Sequence, residues 1–121
     1  MQSEEEWENL LRHHEPPHDP DDRFTESMWL LLNAARRNAT YQPLYPGLSV
    51  FMLTVSQYGD FFDPRRNVEW FPMITAIERH YGVVPYPERG PNLLLTPDPD
   101  EAVTFAADLI LKRIRELDGD G

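Results

Sequence analysis

The densest group of possible metal ligands is His13-His14-Glu15, followed by His18 and Asp19. Imidazole nitrogens and carboxylate oxygens are the ligand types that zinc and nickel accept. The spacing works against a site. Neighbouring residues on a helix point about 100° apart, and Pro16-Pro17 separates the histidine pair from His18. A solvated helix end, with histidines near the negative pole of the helix dipole, explains the cluster more simply. No metal or other cofactor is expected. Catalytic groups are as thinly marked. Glu78 and His80, on a helix predicted over 68–81, are two residues apart and face different sides. Ser3, Ser27, Ser49 and Ser56 lack a Gly-x-Ser-x-Gly context, and no glycine-rich phosphate loop is present. Asp60, Asp63, Glu69 and Glu78 show no pairing that sets them apart from capping or surface residues. No catalytic residue is assigned, and the chain reads as a non-enzyme.

The most informative local group is Arg65-Arg66 beside Phe61-Phe62, in the stretch Gly59 to Asn67. Arginine and aromatic side chains together on a loop are enriched at protein interfaces. The same pairing can stack on single-stranded nucleic acid. The net charge of −10 opposes that second use, because a nucleic-acid binder carries a basic surface. The plainer alternative puts Phe61 and Phe62 in the core and pairs the arginines with Asp60, Asp63 or Glu69.

Charge is unevenly spread. Residues 1–22 hold eight acids against Arg12 alone, whereas thirteen acids and ten bases share the rest of the chain. Such an arm repels nucleic acid and anionic lipid and suits a basic protein surface. Glu4, Glu5, Glu6 and Trp7 therefore join Phe61, Phe62, Arg65 and Arg66 as the expected partner-binding residues.

These residues need elements to position them. Ser3 with Glu6 fits a capping box, and Trp7, Leu10, Leu11 and His14 form one helical stripe that Pro16-Pro17 ends. So short a helix is marginal alone and must dock, on its own domain or on a partner. Asp19-Pro20-Asp21-Asp22 reads as an N-cap at Asp19 with proline in the first turn of a helix running to about Asn38. Its inward residues are Phe24, Met28, Leu31, Leu32 and Ala35. Tyr41 to Gly47 is an extended connector. Leu48 to Ser56 is apolar and β-branched without a charge, closed by Pro46-Gly47 and Tyr58-Gly59-Asp60, and predicts one central strand buried on both faces.

A third helix is predicted over Val68 to Tyr81, with Trp70, Ile74, Ile77 and Tyr81 on its stripe, Pro72 as its weak point and Gly82 past its end. Val83 to Tyr86 and Asn92 to Thr96 predict two short strands, the first confined to an edge by Pro85 and Pro87. Asp98 caps a last helix, with Pro99 in its first turn and a stripe of Ala102, Val103, Ala106, Leu109, Ile110, Ile114 and Leu117.

The expected architecture is α+β: a small sheet of about three strands with four helices, in the order α-α-β-α-β-β-α. Residues 1–18 form an acidic helix and proline-rich connector, 19–118 a single domain and 119–121 a tail. The chain has no cysteine, no basic-then-apolar leader and no apolar run near the ~20 residues that span a bilayer, so a cytoplasmic setting is expected. The function these features favour is a small acidic protein-binding module. It would block a partner with a basic surface, as an inhibitor, immunity protein, antitoxin or anti-defence protein does, without touching nucleic acid or membrane. A homo-oligomerising assembly subunit is the second reading, and a small enzyme with a dispersed carboxylate site the third.

Overall fold

The computed structural model describes residues 2–49, 51–60, 62–85 and 91–119. Its elements are α1 (Gln2–His14), α2 (Arg23–Arg37), β1 (Tyr45–Ser49), β2 (Met52–Ser56), α3 (Arg66–Glu69), β3 (Met73–Ile77), β4 (His80–Val84), β5 (Leu94–Thr96) and α4 (Pro99–Gly119). The strands form one antiparallel sheet in the order β1-β2-β3-β4-β5, each paired with its neighbour in sequence. The α+β class stands, but the expected sheet of about three strands does not: there are five, and the sequence hid two hairpins.

The first hairpin lies inside the stretch predicted as one strand. Leu48 pairs with Leu53 and Ser49 with Met52, so the chain reverses between Ser49 and Met52. The reversal holds no Gly, Pro, Asn or Asp, so no turn residue in the sequence marks it. The second replaces the helix predicted over 68–81. Only Arg66–Glu69 is helical, and β3 and β4 pair across Glu78-Arg79. Glu78 and Arg79 take φ of 49° and 68°, the left-handed pair of a tight hairpin turn. The turn is anchored from α2: Ser27 Oγ accepts the Arg79 N–H at 2.9 Å, and Glu26 pairs with the Arg79 guanidinium.

The predicted stripe of that helix is a coincidence of spacing. The residues of these strands in the core cluster are Ile74 and Ala76 on β3 and Tyr81 and Val83 on β4, a period of two. Gly82 is not a helix terminator either. It lies within β4, where a Cβ would meet Thr75 Oγ1 at 2.8 Å. Nor is β4 an edge, since it lies between β3 and β5, and Pro85 follows its last residue. Tyr86 and Pro87 lie outside the described residues. The connector predicted as extended is instead a run of turns up to β1, with the Leu44 N–H donating to the Tyr41 carbonyl at 2.9 Å and β1 beginning at Tyr45.

The helices supply the other layer. Leu53 and Val55, Ile74 and Ala76, and Tyr81 and Val83 bury against Leu31, Leu32 and Ala35 of α2 and Ala102, Val103, Ala106 and Ile110 of α4. The last helix follows its sequence signals: Asp98 Oδ1 accepts the Asp100 N–H at 2.9 Å. The start of α2 does not. Its N-cap is Asp22, which accepts from the N–H and hydroxyl of Thr25, whereas Asp19 closes a turn by accepting the Asp21 N–H. Phe24, expected inside, is instead partly exposed and stacks on Phe51. Ser3, expected as a cap, lies within α1 and is buried.

Candidate functional site

Between β2 and β3 the chain makes a surface ledge, built from residues the core does not use. Two short Asx turns shape its start: Asp60 Oδ1 accepts the Phe62 N–H at 2.9 Å, and Asp63 Oδ1 the Arg65 N–H at 3.0 Å. The Asp63 carboxylate is then gripped in a fork, taking Arg65 Nε at 3.0 Å and Nη2 at 2.6 Å. These hydrogen bonds hold its carboxyl at about 2, well below the ordinary 3.8, and raise the arginine's own value. The same guanidinium lies over the Tyr58 ring, 4.0 Å from its centroid. Phe62 is 87% exposed, so it does not plug the core. Phe61 lies outside the described residues.

The single turn of α3 is pinned from below. Glu69 is buried, and its carboxylate accepts the Ser56 hydroxyl at 2.6 Å and the Gln57 N–H at 2.8 Å. The two oxygens thus tie the end of β2 to α3. Trp70 follows in the left-handed conformation, φ 54° and ψ 47°. A bulky side chain there is strained by roughly 1–2 kcal/mol. From α4, Arg113 answers that geometry: its Nε donates to the Glu69 carbonyl at 2.9 Å and its Nη2 to the Val68 carbonyl at 3.0 Å. Its guanidinium also stacks 5.1 Å from the Trp70 ring centroid. One arginine therefore satisfies the end of α3 and backs the indole. Trp70 remains 47% exposed, and Val68 beside it is also exposed. A cleft of about 280 Å³ opens next to them, between Arg66, Asn67 and Trp70 on one side and Thr54 and Met73 of the sheet on the other.

The expected site residues divide. Phe62, Arg65 and Arg66 belong to this ledge. Glu4, Glu5 and Glu6 are exposed on α1, which docks on α2 and β1 rather than hanging free. Trp7 is withdrawn from the list of contact residues. It is 1% exposed, donates its indole N–H to the Leu44 carbonyl at 3.0 Å and meets the Tyr41 ring edge-on. Behind the acidic triplet, Glu8 pairs with Arg36. Sequence reasoning missed Trp70, Arg113 and Tyr58. Pro72 was the one usable sign for Trp70, since a proline there disfavours the helix that would have hidden the indole.

The histidines do not converge. His13, His14 and His18 each bond the backbone carbonyl four residues back, those of Asn9, Leu10 and His14. Among the described residues no three His, Asp or Glu side chains are grouped to hold a metal. Glu69 is the buried carboxylate among them, and both its oxygens are engaged in tying two segments together. No described helix is long and apolar enough to cross a membrane. The arrangement offers stacking, apolar contact and charge-assisted hydrogen bonds. Comparison with protein-family models, with curated proteins and with solved structures finds no match.

Proposed function

We propose that this chain is a protein-binding module that acts by covering its partner, with the 58–70 ledge as the centre of contact. The observation that carries the reading is Trp70: a strained tryptophan, kept half-exposed and stiffened by Arg113, contributes nothing to the core that an ordinary residue would not. Backbone strain concentrates where function requires it. Tryptophan, tyrosine and arginine are also the side chains that dominate binding energy at interfaces. Trp70, Tyr58 and Arg65 supply all three within one loop. The exposed Glu4, Glu5 and Glu6 complement this reading by drawing in a basic partner. A cytoplasmic setting suits a chain without cysteine.

The test is affinity capture from the native host with the wild-type chain and with Trp70→Ala, read by quantitative mass spectrometry and then by binding kinetics. A protein enriched by the wild type and lost with Trp70→Ala supports the proposal, with truncation at the ledge raising the off-rate. Replacing Glu4, Glu5 and Glu6 together by glutamine should instead slow association, in a salt-dependent way. Equal capture by Trp70→Ala would remove the ledge from the contact. Light scattering that finds a closed oligomer, dispersed by the same substitution, would favour the assembly reading.

A further inference from the structure

We propose that the edge of β5 with no described strand beside it binds an extended, basic segment of another protein, which adds to the sheet as a sixth strand. The proposal goes beyond the ledge and does not rest on it. The sheet has two edges, and they are treated differently. β1 carries Pro46, which cannot donate to a ladder, and α1 lies beside it, Trp7 donating to the carbonyl of Leu44 just before the strand. β5 pairs with β4 on one side, and no described strand pairs with the other. Folded proteins guard such edges by keeping them short, or with charges or proline inside the strand. β5 is short, at three residues, but Leu94-Leu95-Thr96 holds neither a charge nor a proline, and Leu93 and Leu95 are 50% and 61% exposed.

Beside this edge a groove of about 560 Å³ runs between β5 and α4, with Leu94 and Phe105 as its apolar floor and Asp100, Glu101 and Asp108 on its rim. No basic side chain lines it, and of the three acids only Asp100 is ion-paired among the described residues, with Arg37. Edge hydrogen bonds supply affinity for an added strand, and pockets for alternate side chains supply its specificity. The strand that fits therefore points Lys or Arg toward α4, with their stems over Leu94 and Phe105 and their charges at the acidic rim, and points apolar side chains to the opposite face, beside the exposed Leu95. Charge also selects against a second copy of this chain. Pairing two β5 edges would bring two acidic rims together, and opposed like charges are destabilising.

The probe is a short capped peptide that alternates lysine with valine, titrated into the full chain and followed by amide chemical shifts. Two control peptides accompany it: one with glutamate for lysine, and one with a central proline that breaks the strand. The expected result is saturable binding below about 1 mM that shifts residues 92–96 and the first turns of α4, with both controls weaker by at least about tenfold. The exposed pair Glu101→Lys with Asp108→Lys should weaken the lysine peptide to a similar degree, with the melting temperature unchanged to show that folding is intact. Three results would each overturn the proposal: no saturable binding below that limit, shifts confined to other surfaces, or a proline peptide that binds as well as its parent. Concentration-dependent pairing of the chain through residues 92–96 would overturn it in favour of self-association. Trp70→Ala should leave peptide binding unchanged, which keeps this test separate from that of the ledge.

Discussion

Trp7 and Trp70 have the same side chain and opposite uses. Around Trp7 every interaction points inward: the indole is enclosed, its N–H is satisfied by Leu44, and Tyr41 meets it edge-on. Around Trp70 the backbone is forced into a rare conformation, and Arg113 keeps the ring at the surface. The first region is arranged to bury an aromatic and the second to present one. The difference comes from the backbone beneath each ring. Trp7 sits on a regular helix whose stripe faces α2 and β1. Trp70 ends a single helical turn at a left-handed residue, so the surface continues where a helix would have turned the ring inward.

Four measurements test that contrast. The largest effect should come from Trp7→Ala, which empties a sealed site and should cost about 3–5 kcal/mol in urea titration. Trp70→Ala should stay within about 1 kcal/mol by the same assay; equal losses at the two sites would erase the distinction. Next, Glu69→Ala strips the buried acceptor from the Ser56 hydroxyl and the Gln57 N–H, and should cost about 1–3 kcal/mol. If its loss is negligible, α3 is not pinned as described and the ledge is less rigid than its geometry implies.

A third measurement probes what each region stores. Among the described residues the Tyr41 hydroxyl is buried without a partner beside Trp7, and burial pushes its ionisation far above the ordinary range. Tyr41→Phe should thus raise stability by about 1 kcal/mol. At the other site, glycine tolerates the left-handed backbone that alanine does not, so Trp70→Gly should be more stable than Trp70→Ala by about 1 kcal/mol. The reverse ranking would mean that no strain resides at position 70.

The smallest effect is the Asp63 titration. Its folded value is depressed, so the stability it contributes is present above the ordinary 3.8 and is lost as pH falls through about 2. Carboxyl chemical shifts should show a midpoint near 2, moving up toward the ordinary value in Arg65→Ala. A midpoint already near 3.8 in the wild type would dissolve the fork that shapes the ledge.

How far these regions could be read from residues alone depends on where each element stores its information. α4 was legible because its stripe and its Asp98-Pro99 start agree. The β3–β4 reversal was not, because Glu78 and Arg79 are poor residues for left-handed backbone, and the turn is held by Ser27 and Glu26 from a distant helix. The same holds at the site. Arg65 next to phenylalanine was visible as a local pattern, and Asp63 confirms it as a local turn. Trp70 falls on a helical spacing with Ile74, Ile77 and Tyr81, and what defeats that helix is its left-handed backbone, with Arg113 satisfying the Glu69 carbonyl before it from forty-four residues away. Trp7 misled in the opposite direction, since a short acidic helix shows its stripe but not what covers it.

The sequence-neighbour pairing of all five strands has a kinetic consequence. Each reversal, between Ser49 and Met52 and at 78–79, closes a loop of two residues, so the chain gives up little loop entropy before the first ladder bonds form. Isolated hairpins form in about 1–10 μs. The sheet can then grow one strand at a time, without searching for a distant partner. On that order, the packing of α2 and α4 over a sheet already paired should come late. Substitutions at Ile74 or Val83 should therefore slow folding, whereas those at Ala106 or Ile110 should mainly speed unfolding. Chevron analysis of the two sets, with both arms measured, reads that order directly.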